Sequence, residues 1–443
     1  MSMRPSALLT DFYQLSMAQS YWQAGIHDRN AVFHVFFRRN PIRDRYVVAA
    51  GLQRVIDFLN DFHFTSEDID YLASLSQTKF SKDFLVYLKK LRFTGDIDAA
   101  PEGSVVFANE PLLRIRAPLA LCQLLETPLV NALNFSSAVA TMASRFRMLA
   151  PDDLLFEFGL RRAQGPDGGL TASRSAYLGG FDATSNTLAG KLFHIPVIGT
   201  MAHSFIMAFD DEKTAFETYA ALNPDNVILL VDTYDTLKGV DRAIAIPNLK
   251  AIRLDSGDLN ALSKAAREKL DRAGLSHVKI FASGDIHETM LAELKKQRAP
   301  IDGWGVGTHL STSYEQPALD MVYKLGAIEK NGQFSYRLKR SDNNRKTSDP
   351  GILQVKRLTE NKRWLRDVIY DIQSPVISNA TAEDLLKPIF QSGRLVYSSV
   401  KLSQSREYCL QQVQQYHASP DFVVERDAVL IDLKNSLLKK YDE

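Results

Sequence analysis

Four short apolar runs, Val227 to Val231, Ala251 to Leu254, Val278 to Ala282 and Gly303 to Val306, recur about 25 residues apart, the period of a strand-plus-helix unit. Two earlier runs, Leu154 to Phe158 and Pro196 to Gly199, have the same buried-strand character. Strands covered on both faces read as near-continuous apolar segments, whereas one-sided strands alternate. Most of the intervening sequence is helical; from Leu259 to Leu270, for instance, Leu259, Leu262, Ala266 and Leu270 fall on one face. The rhythm predicts parallel α/β structure, and it stops beyond Lys324.

The flanks read differently. Leu8 to Trp22 has a helix-like pattern, Ala31 to Arg38 crowds aromatic and β-branched residues as a strand does, and Tyr46 to Phe62 returns to a helix. Asp96 to Pro118 alternates around turn candidates at Glu102-Gly103 and Asn109-Glu110-Pro111, giving an α+β unit. The Leu- and Ala-rich stretch after Leu119 contains Pro128, so a helix there kinks or restarts. Past a polar, loop-like stretch from Arg340 to Pro350, which includes Asp342, Asn343 and Asn344, come a strand-like Leu395 to Val400 and a closing helix from about Asp427 to Tyr441. This tail is expected to pack back on the N-terminal unit. The organisation so derived is residues 1–125 as an N-terminal α+β domain, 126–330 as an α/β catalytic domain and 331–443 as a segment completing the first.

Composition narrows the function. A chain of 443 residues exceeds one hydrophobic core and suggests two or three domains. Its net charge of +1 supplies no basic field for nucleic acid, so phosphate binding has to be local. Cys122 and Cys409 lack CxxC spacing, which argues against a zinc cluster and excludes a disulfide framework. No stretch is apolar enough to span a bilayer, and the expected location is the cytoplasm.

In parallel α/β folds the C-terminal strand ends aim their following loops at one shared mouth. Here those ends read EFGLRR from Glu157, GTMAHS from Gly199, VDTYDT from Val231, RLDSGD from Arg253, SGD from Ser283 and GWGVGTH from Gly303. Arg161 and Arg162 are candidate phosphate clamps, with a surface salt bridge as the plainer role for one of them. Asp232 and Asp255 directly end strands and suit Mg²⁺ on a pyrophosphate or a ribose hydroxyl; Asp235 and Asp258 serve equally well as helix N-caps. Gly303, Gly305 and Gly307 alternate before Thr308, either as an anion cradle or as a tightly packed strand. His203, beside Thr200 and Ser204, has the best chemical company of the nine histidines. Lys279 is a possible Schiff-base lysine or a snorkelling strand residue.

With these segments lined up, the chain resembles nicotinate phosphoribosyltransferases, through LLTDFYQLSMAQSYW (Leu8 to Trp22), EFGLRRAQGPDGGLTASRSAYLGGFDATSN (Glu157 to Asn186) and each strand-end motif above. The resemblance implies an irregular α/β barrel joined to a smaller α+β domain built from both chain ends, in a homodimer with sites near the interface. It implies ATP-dependent formation of nicotinate mononucleotide and pyrophosphate from nicotinate and phosphoribosyl pyrophosphate, coupled through a phosphohistidine at the position of His203. Tyr13, plausibly from the partner subunit, and Thr200 are then nicotinate contacts, Arg253 a nicotinate-site or phosphoribosyl-site cation, and Thr308 a 5′-phosphate contact. Asp182, Ser283, Gly284, Gly305 and Gly307 complete the expected substrate-binding set, with Mg²⁺ at Asp232 and Asp255. A nicotinamide-using phosphoribosyltransferase, a Schiff-base aldolase using Lys279 and a non-catalytic nucleotide sensor are the alternatives.

Overall fold

The computed structural model describes residues 6–40, 46–76, 79–341, 347–378 and 380–440. The expected loop residues Asp342, Asn343 and Asn344, and the terminal Tyr441, lie outside them. The chain divides into two compact units, one formed by Val139–Pro317 and the other by the two chain ends, Met1–Ala138 and Ala318–Glu443. The resemblance makes the chain-end unit the smaller one; it is the larger, because the tail contributes a sheet of its own.

The Val139–Pro317 unit is built on a six-stranded, curled parallel sheet of half-barrel form. Its strand order is Ala183–Thr184, Leu154–Glu157, Gly303–Val306, Lys279–Ala282, Ala251–Leu254, Ile228–Leu230. Five of these are the apolar runs read from sequence. Pro196 to Gly199 is not a strand: Val197 makes a single parallel bridge to Thr184, and Pro196 lacks the N–H a ladder needs. Phe156, Ala183, Ile228, Ala251 and Phe281 form a core on one face of the sheet. The intervening Leu155, Ile252, Ile280 and Trp304 are also buried, which is why the strands lack an alternating signature. Helix Leu259–Arg272 buries Leu259, Ala266 and Leu270, with Leu262 half-buried, close to the face predicted.

In the chain-end unit, strand Asn30–Phe37 pairs antiparallel with both Leu113–Pro118 and Met321–Lys330, so N-terminal and C-terminal segments share one seven-stranded sheet. Lys387–Gln391 extends it by pairing with Asp96–Ala99. A second sheet, of four strands, comes from the tail: Thr381–Asp384, Leu353–Glu360, Arg363–Asp371 and Val423–Arg426. The expected helix over Tyr46 to Phe62 instead opens with strand Val47–Val48, and helix Leu52–Asn60 starts after a left-handed Gly51. Leu395 to Val400 contributes only Leu395 to a strand, the short Arg394–Leu395. Pro128 sits in the first turn of a restarted helix, Glu126–Leu149, where its missing N–H is tolerated.

The tail sheet carries a buried charge group. Arg357 and Asp367, both almost fully buried, pair through two parallel bonds of 2.9 and 2.6 Å, and the guanidinium lies 3.8 Å from the Trp364 ring centre. Burial, then the neighbouring Asp367, raises the pKa of Glu110 well above its ordinary value. Arg357 and Trp364 also line a cavity together with Glu383, Tyr408 and Gln412.

Candidate active site

The five strands identified from the apolar runs end toward the same side because the sheet is parallel. Strand Ala251–Leu254 delivers Arg253 and Asp255, strand Ile228–Leu230 delivers Asp232 and Thr233, and strand Lys279–Ala282 delivers Ser283. One Asp232 oxygen accepts the Asp255 N–H at 2.9 Å and the Ser256 hydroxyl at 2.7 Å, which pins the RLDSGD loop. Its other oxygen is buried with no donor. Ser283 donates a short hydrogen bond to Asp255 Oδ1. Gly284 has φ +88°, and a Cβ there would fall 1.9 Å from the Asp255 carbonyl oxygen, so glycine is required for the two loops to meet.

His203 begins helix His203–Met207, with its Nδ1 3.2 Å from Thr233 Oγ1 and its Nε2 3.6 Å from Asp255 Oδ2. A carboxylate on one imidazole nitrogen favours the proton there and leaves a lone pair on the other. The imidazole thus lies between a hydroxyl and a carboxylate, one on each ring nitrogen's side.

Arg253 donates to Thr200 Oγ1 at 2.6 Å and lies 3.9 Å from Asp255. Its Nε–H is buried without an acceptor. Burial lowers the pKa of its guanidinium, Asp255 and Asp232 pull it back up, and the nearby Arg161 lowers it further. A buried cation with an unused donor is a ready receptor for a carboxylate or phosphate oxygen.

The EFGLRR segment is held by a residue that the sequence reading left without a role. Glu157 is 1% exposed; Oε2 accepts from Ser173 at 2.8 Å and Thr184 at 2.6 Å, and Oε1 takes the Gly159 N–H. The signal for it was present as a lone acid closing the apolar run LLFE. Gly159 lets the Leu160–Arg162 turn approach helix Thr308–Ser311, since a Cβ would meet Ser311 at 2.3 Å. Arg161 and Arg162 are exposed on that turn and show no ion pair among the described residues, so neither fills the plainer salt-bridge role.

Several expectations are corrected or sorted. Gly303 and Gly305 lie inside their strand, where a Cβ would overlap the Phe281 and Phe158 rings at 2.8 and 2.6 Å, so they serve packing and not a cradle. Gly307 and Thr308 do sit at the strand end, where the backbone turns into the short helix. Asp235 and Asp258 are N-caps, accepting from Lys238 N at 3.0 Å and from Asn260 N and Ala261 N at 3.0 and 3.1 Å. Asp182 is not brought to the mouth. It precedes strand Ala183–Thr184 and binds Arg147 at 2.6 Å and the Leu155 N–H at 2.9 Å, at the opposite end of the sheet. Lys279 is likewise the first, exposed residue of its strand, remote from the mouth along the strand direction.

In the chain-end unit Tyr13 lies half exposed on helix Phe12–Gln23. Burial raises its pKa, and Glu126 adds to that. Glu126 also acts on Lys324, whose pKa is lowered by burial and by the neighbouring cations Arg38 and Lys339. This cationic group is assembled from strands distant in sequence, and no local motif marks it.

An α/β fold with an anion-receiving mouth and a histidine held between a hydroxyl and a carboxylate defines a phosphate-handling enzyme. The chain belongs to the nicotinate phosphoribosyltransferase family. Residues 8–134 match the nicotinate phosphoribosyltransferase (NAPRTase) N-terminal domain, and residues 335–424 match the corresponding C-terminal domain. Nicotinate phosphoribosyltransferase of Bacillus subtilis (strain 168) is 42% identical over 431 residues, covering 91% of this chain and 87% of that protein. The crystal structure of human nicotinic acid phosphoribosyltransferase superposes with a TM-score of 0.82 at 32% identity, over 97% of this chain and all of that one. The Pyrococcus furiosus nicotinate-nucleotide pyrophosphorylase shares the fold, with a TM-score of 0.75 at 24% identity over 93% of this chain and 96% of that one.

Proposed function

We propose that the chain is an ATP-coupled nicotinate phosphoribosyltransferase of NAD salvage, forming nicotinate mononucleotide and pyrophosphate from nicotinate and phosphoribosyl pyrophosphate. The observation that carries the coupling is the Thr233–His203–Asp255 arrangement. An imidazole nitrogen of His203 attacks the γ-phosphorus of ATP, a P–N bond forms as the bond to the β-phosphate oxygen breaks, and ADP leaves. Asp255 stabilises the imidazolium charge that develops. Hydrolysis of the phosphohistidine restores the site after transfer.

In the transfer step the pyridine nitrogen attacks ribose C1 as the C1–O bond to pyrophosphate breaks, through a cationic sugar. Arg253, presented with Thr200, receives the nicotinate carboxylate, and a carboxylate is what its buried charge favours over an amide. Asp182 supplies no opposing carboxylate at the mouth, which supports nicotinate over nicotinamide. Thr308 and the Gly307 backbone, with Ser283 and Gly284, hold phosphate oxygens, and Arg161 or Arg162 faces the leaving group. The donor-free oxygen of Asp232, with Asp255 on the adjoining loop, would hold Mg²⁺, which retains several waters and needs only one or two carboxylates. Bound there, the ion would neutralise the departing pyrophosphate.

We take the enzyme to be a homodimer with sites near the interface and with Tyr13 supplied by the second copy. Leu9, Phe12 and Tyr13 are 46%, 44% and 50% exposed, an apolar group that a partner surface would cover. No helix among the described residues is long and apolar enough to cross a membrane, and a cytoplasmic location fits that. The deciding assay measures mononucleotide from nicotinate or nicotinamide, each with and without ATP. Nicotinate with ATP should dominate, and His203→Ala should lose both ATP stimulation and phosphate label from γ-labelled ATP. A variant that kept ATP stimulation, or a wild type that never took label, would sink the phosphohistidine reading.

A further inference from the structure

Helix Leu402–His417 packs on the tail sheet and buries Ser405, Cys409 and Val413. Helix and sheet together also line a cavity of about 280 Å³. Its sheet wall consists of two cross-strand pairs, Arg357 opposite Glu383 and Thr359 opposite Thr381. Its helix wall is Tyr408, Gln412 and Gln415, which share one helix face by their spacing. The space between a helix and a sheet is ordinarily filled by interlocking apolar side chains, and here it is polar and hollow. At liquid density the volume corresponds to about nine waters, the size of a single-ring metabolite.

The groups around this cavity are unevenly satisfied. The Arg357 side chain is 3% exposed, and a guanidinium has five N–H donors to place. Nε and Nη2 meet Asp367, Nη2 also meets the Val105 carbonyl at 2.9 Å, and Nη1 meets Gln412 Oε1 at 3.1 Å. One Nη1 hydrogen is left over. Gln415 Nε2 and the Trp364 indole N–H donate to no group among the described residues. Lys362, exposed on the hairpin turn, forms no ion pair among them. Glu383, the one acid in the lining, is already matched by Lys387 at 2.8 Å. The surplus is therefore of donors and of one positive charge, which calls for an acceptor-rich anion.

We propose that this cavity is a second small-molecule site, for a carboxylate carrying a single ring. The carboxylate accepts from Arg357 and Lys362, and the ring fills the space beside Trp364, Tyr408 and Leu385. One unpaired cation matches one negative charge, whereas a phosphate monoester would bring nearly two. All of these residues belong to the chain-end unit, so the site stands apart from the mouth of the parallel sheet and does not depend on the transferase reading.

The test is isothermal titration of the full-length chain with benzoate, benzamide and inorganic phosphate, in the wild type and in Arg253→Ala, which removes the carboxylate receptor proposed at the mouth. In Arg253→Ala, benzoate should still bind at one site per chain. It should bind about tenfold more tightly than the neutral isostere benzamide, the difference a charge-assisted hydrogen bond makes, and phosphate, which lacks the ring, should bind more weakly than benzoate. On the Arg253→Ala background, Lys362→Gln should weaken benzoate about two- to fivefold and Gln415→Leu about two- to tenfold. Neither residue belongs to the buried Arg357–Asp367 pair, so melting temperatures should hold; introduced into the wild type, neither change should alter KM for nicotinate. Benzoate binding that disappears in Arg253→Ala would place its only site at the mouth and overturn the proposal. Equal affinity for benzamide or phosphate, or a benzoate affinity unmoved by both cavity variants, would overturn it too.

Discussion

The two ends of the parallel sheet carry similar residue types and treat them in opposite ways. At the N-terminal end Asp182 is held by Arg147 and by the Leu155 N–H. Asp153 there accepts from Lys295 at 2.8 Å and from the Trp304 indole at 2.7 Å, and Asp302 accepts the Ile280 N–H at 2.8 Å. At the C-terminal end one oxygen of Asp232, Nε of Arg253 and Nδ1 of His309 are buried with no partner. Burial, then His287, lowers the His309 pKa, against the pull of Asp285 and Glu315. Native interiors pair nearly all their polar groups, so unpaired atoms gathered at one end mark where a ligand completes the bonding.

Breaking the C-terminal end should have the largest effect. Arg253→Ala is expected to lower kcat/KM for nicotinate by about 10²- to 10³-fold, as loss of a preorganised charged donor does. Its melting temperature should hold or rise, because a buried cation with an unpaired Nε–H is gone. A drop in stability that accounts for the lost activity would show that Arg253 is a brace like Arg147.

The next effect tests the other end. Asp182→Ala leaves the Leu155 N–H and one Arg147 donor unmatched and should cost about 1–3 kcal/mol in denaturant unfolding. The KM values of the folded variant should match wild type. A selective change in KM for nicotinate would return Asp182 to the substrate site.

The smallest effect belongs to Lys279, exposed at the start of its strand. Lys279→Ala should change stability by no more than about 0.5 kcal/mol and leave product formation intact. Borohydride trapping of a carbonyl substrate on the wild-type protein, lost in this variant, would instead revive the aldolase alternative.

Much of the parallel unit was legible because its strands are short, doubly covered and evenly spaced, and the helix over Leu259–Arg272 advertised its buried face. The chain-end unit was less legible. Its strands pair residues far apart in sequence, such as Ala31 with Ile328, and that pairing energy leaves no local trace. The tail sheet is built on a local hairpin, Leu353–Glu360 with Arg363–Asp371, closed by Asn361 and Lys362 at positive φ, and the turn Asn361-Lys362 lacks the glycine that usually marks one; the Tyr46 to Phe62 helix was overextended because a two-residue strand is below what periodicity resolves.

For the site, sequence alone determined which chemical groups the strands carry: Arg253 lies within a strand, and Asp232, Asp255, Ser283 and Thr308 follow strand ends. It could not decide which of the two sheet ends a given acid occupies relative to its strand, which glycine meets a ring and which faces the mouth, or which groups flank the imidazole. Those choices follow from through-space partners, Phe158 against Gly305, Arg147 against Asp182 and Asp255 against His203. The tertiary structure decides them because burial and hydrogen-bond saturation depend on neighbours that only folding brings within reach.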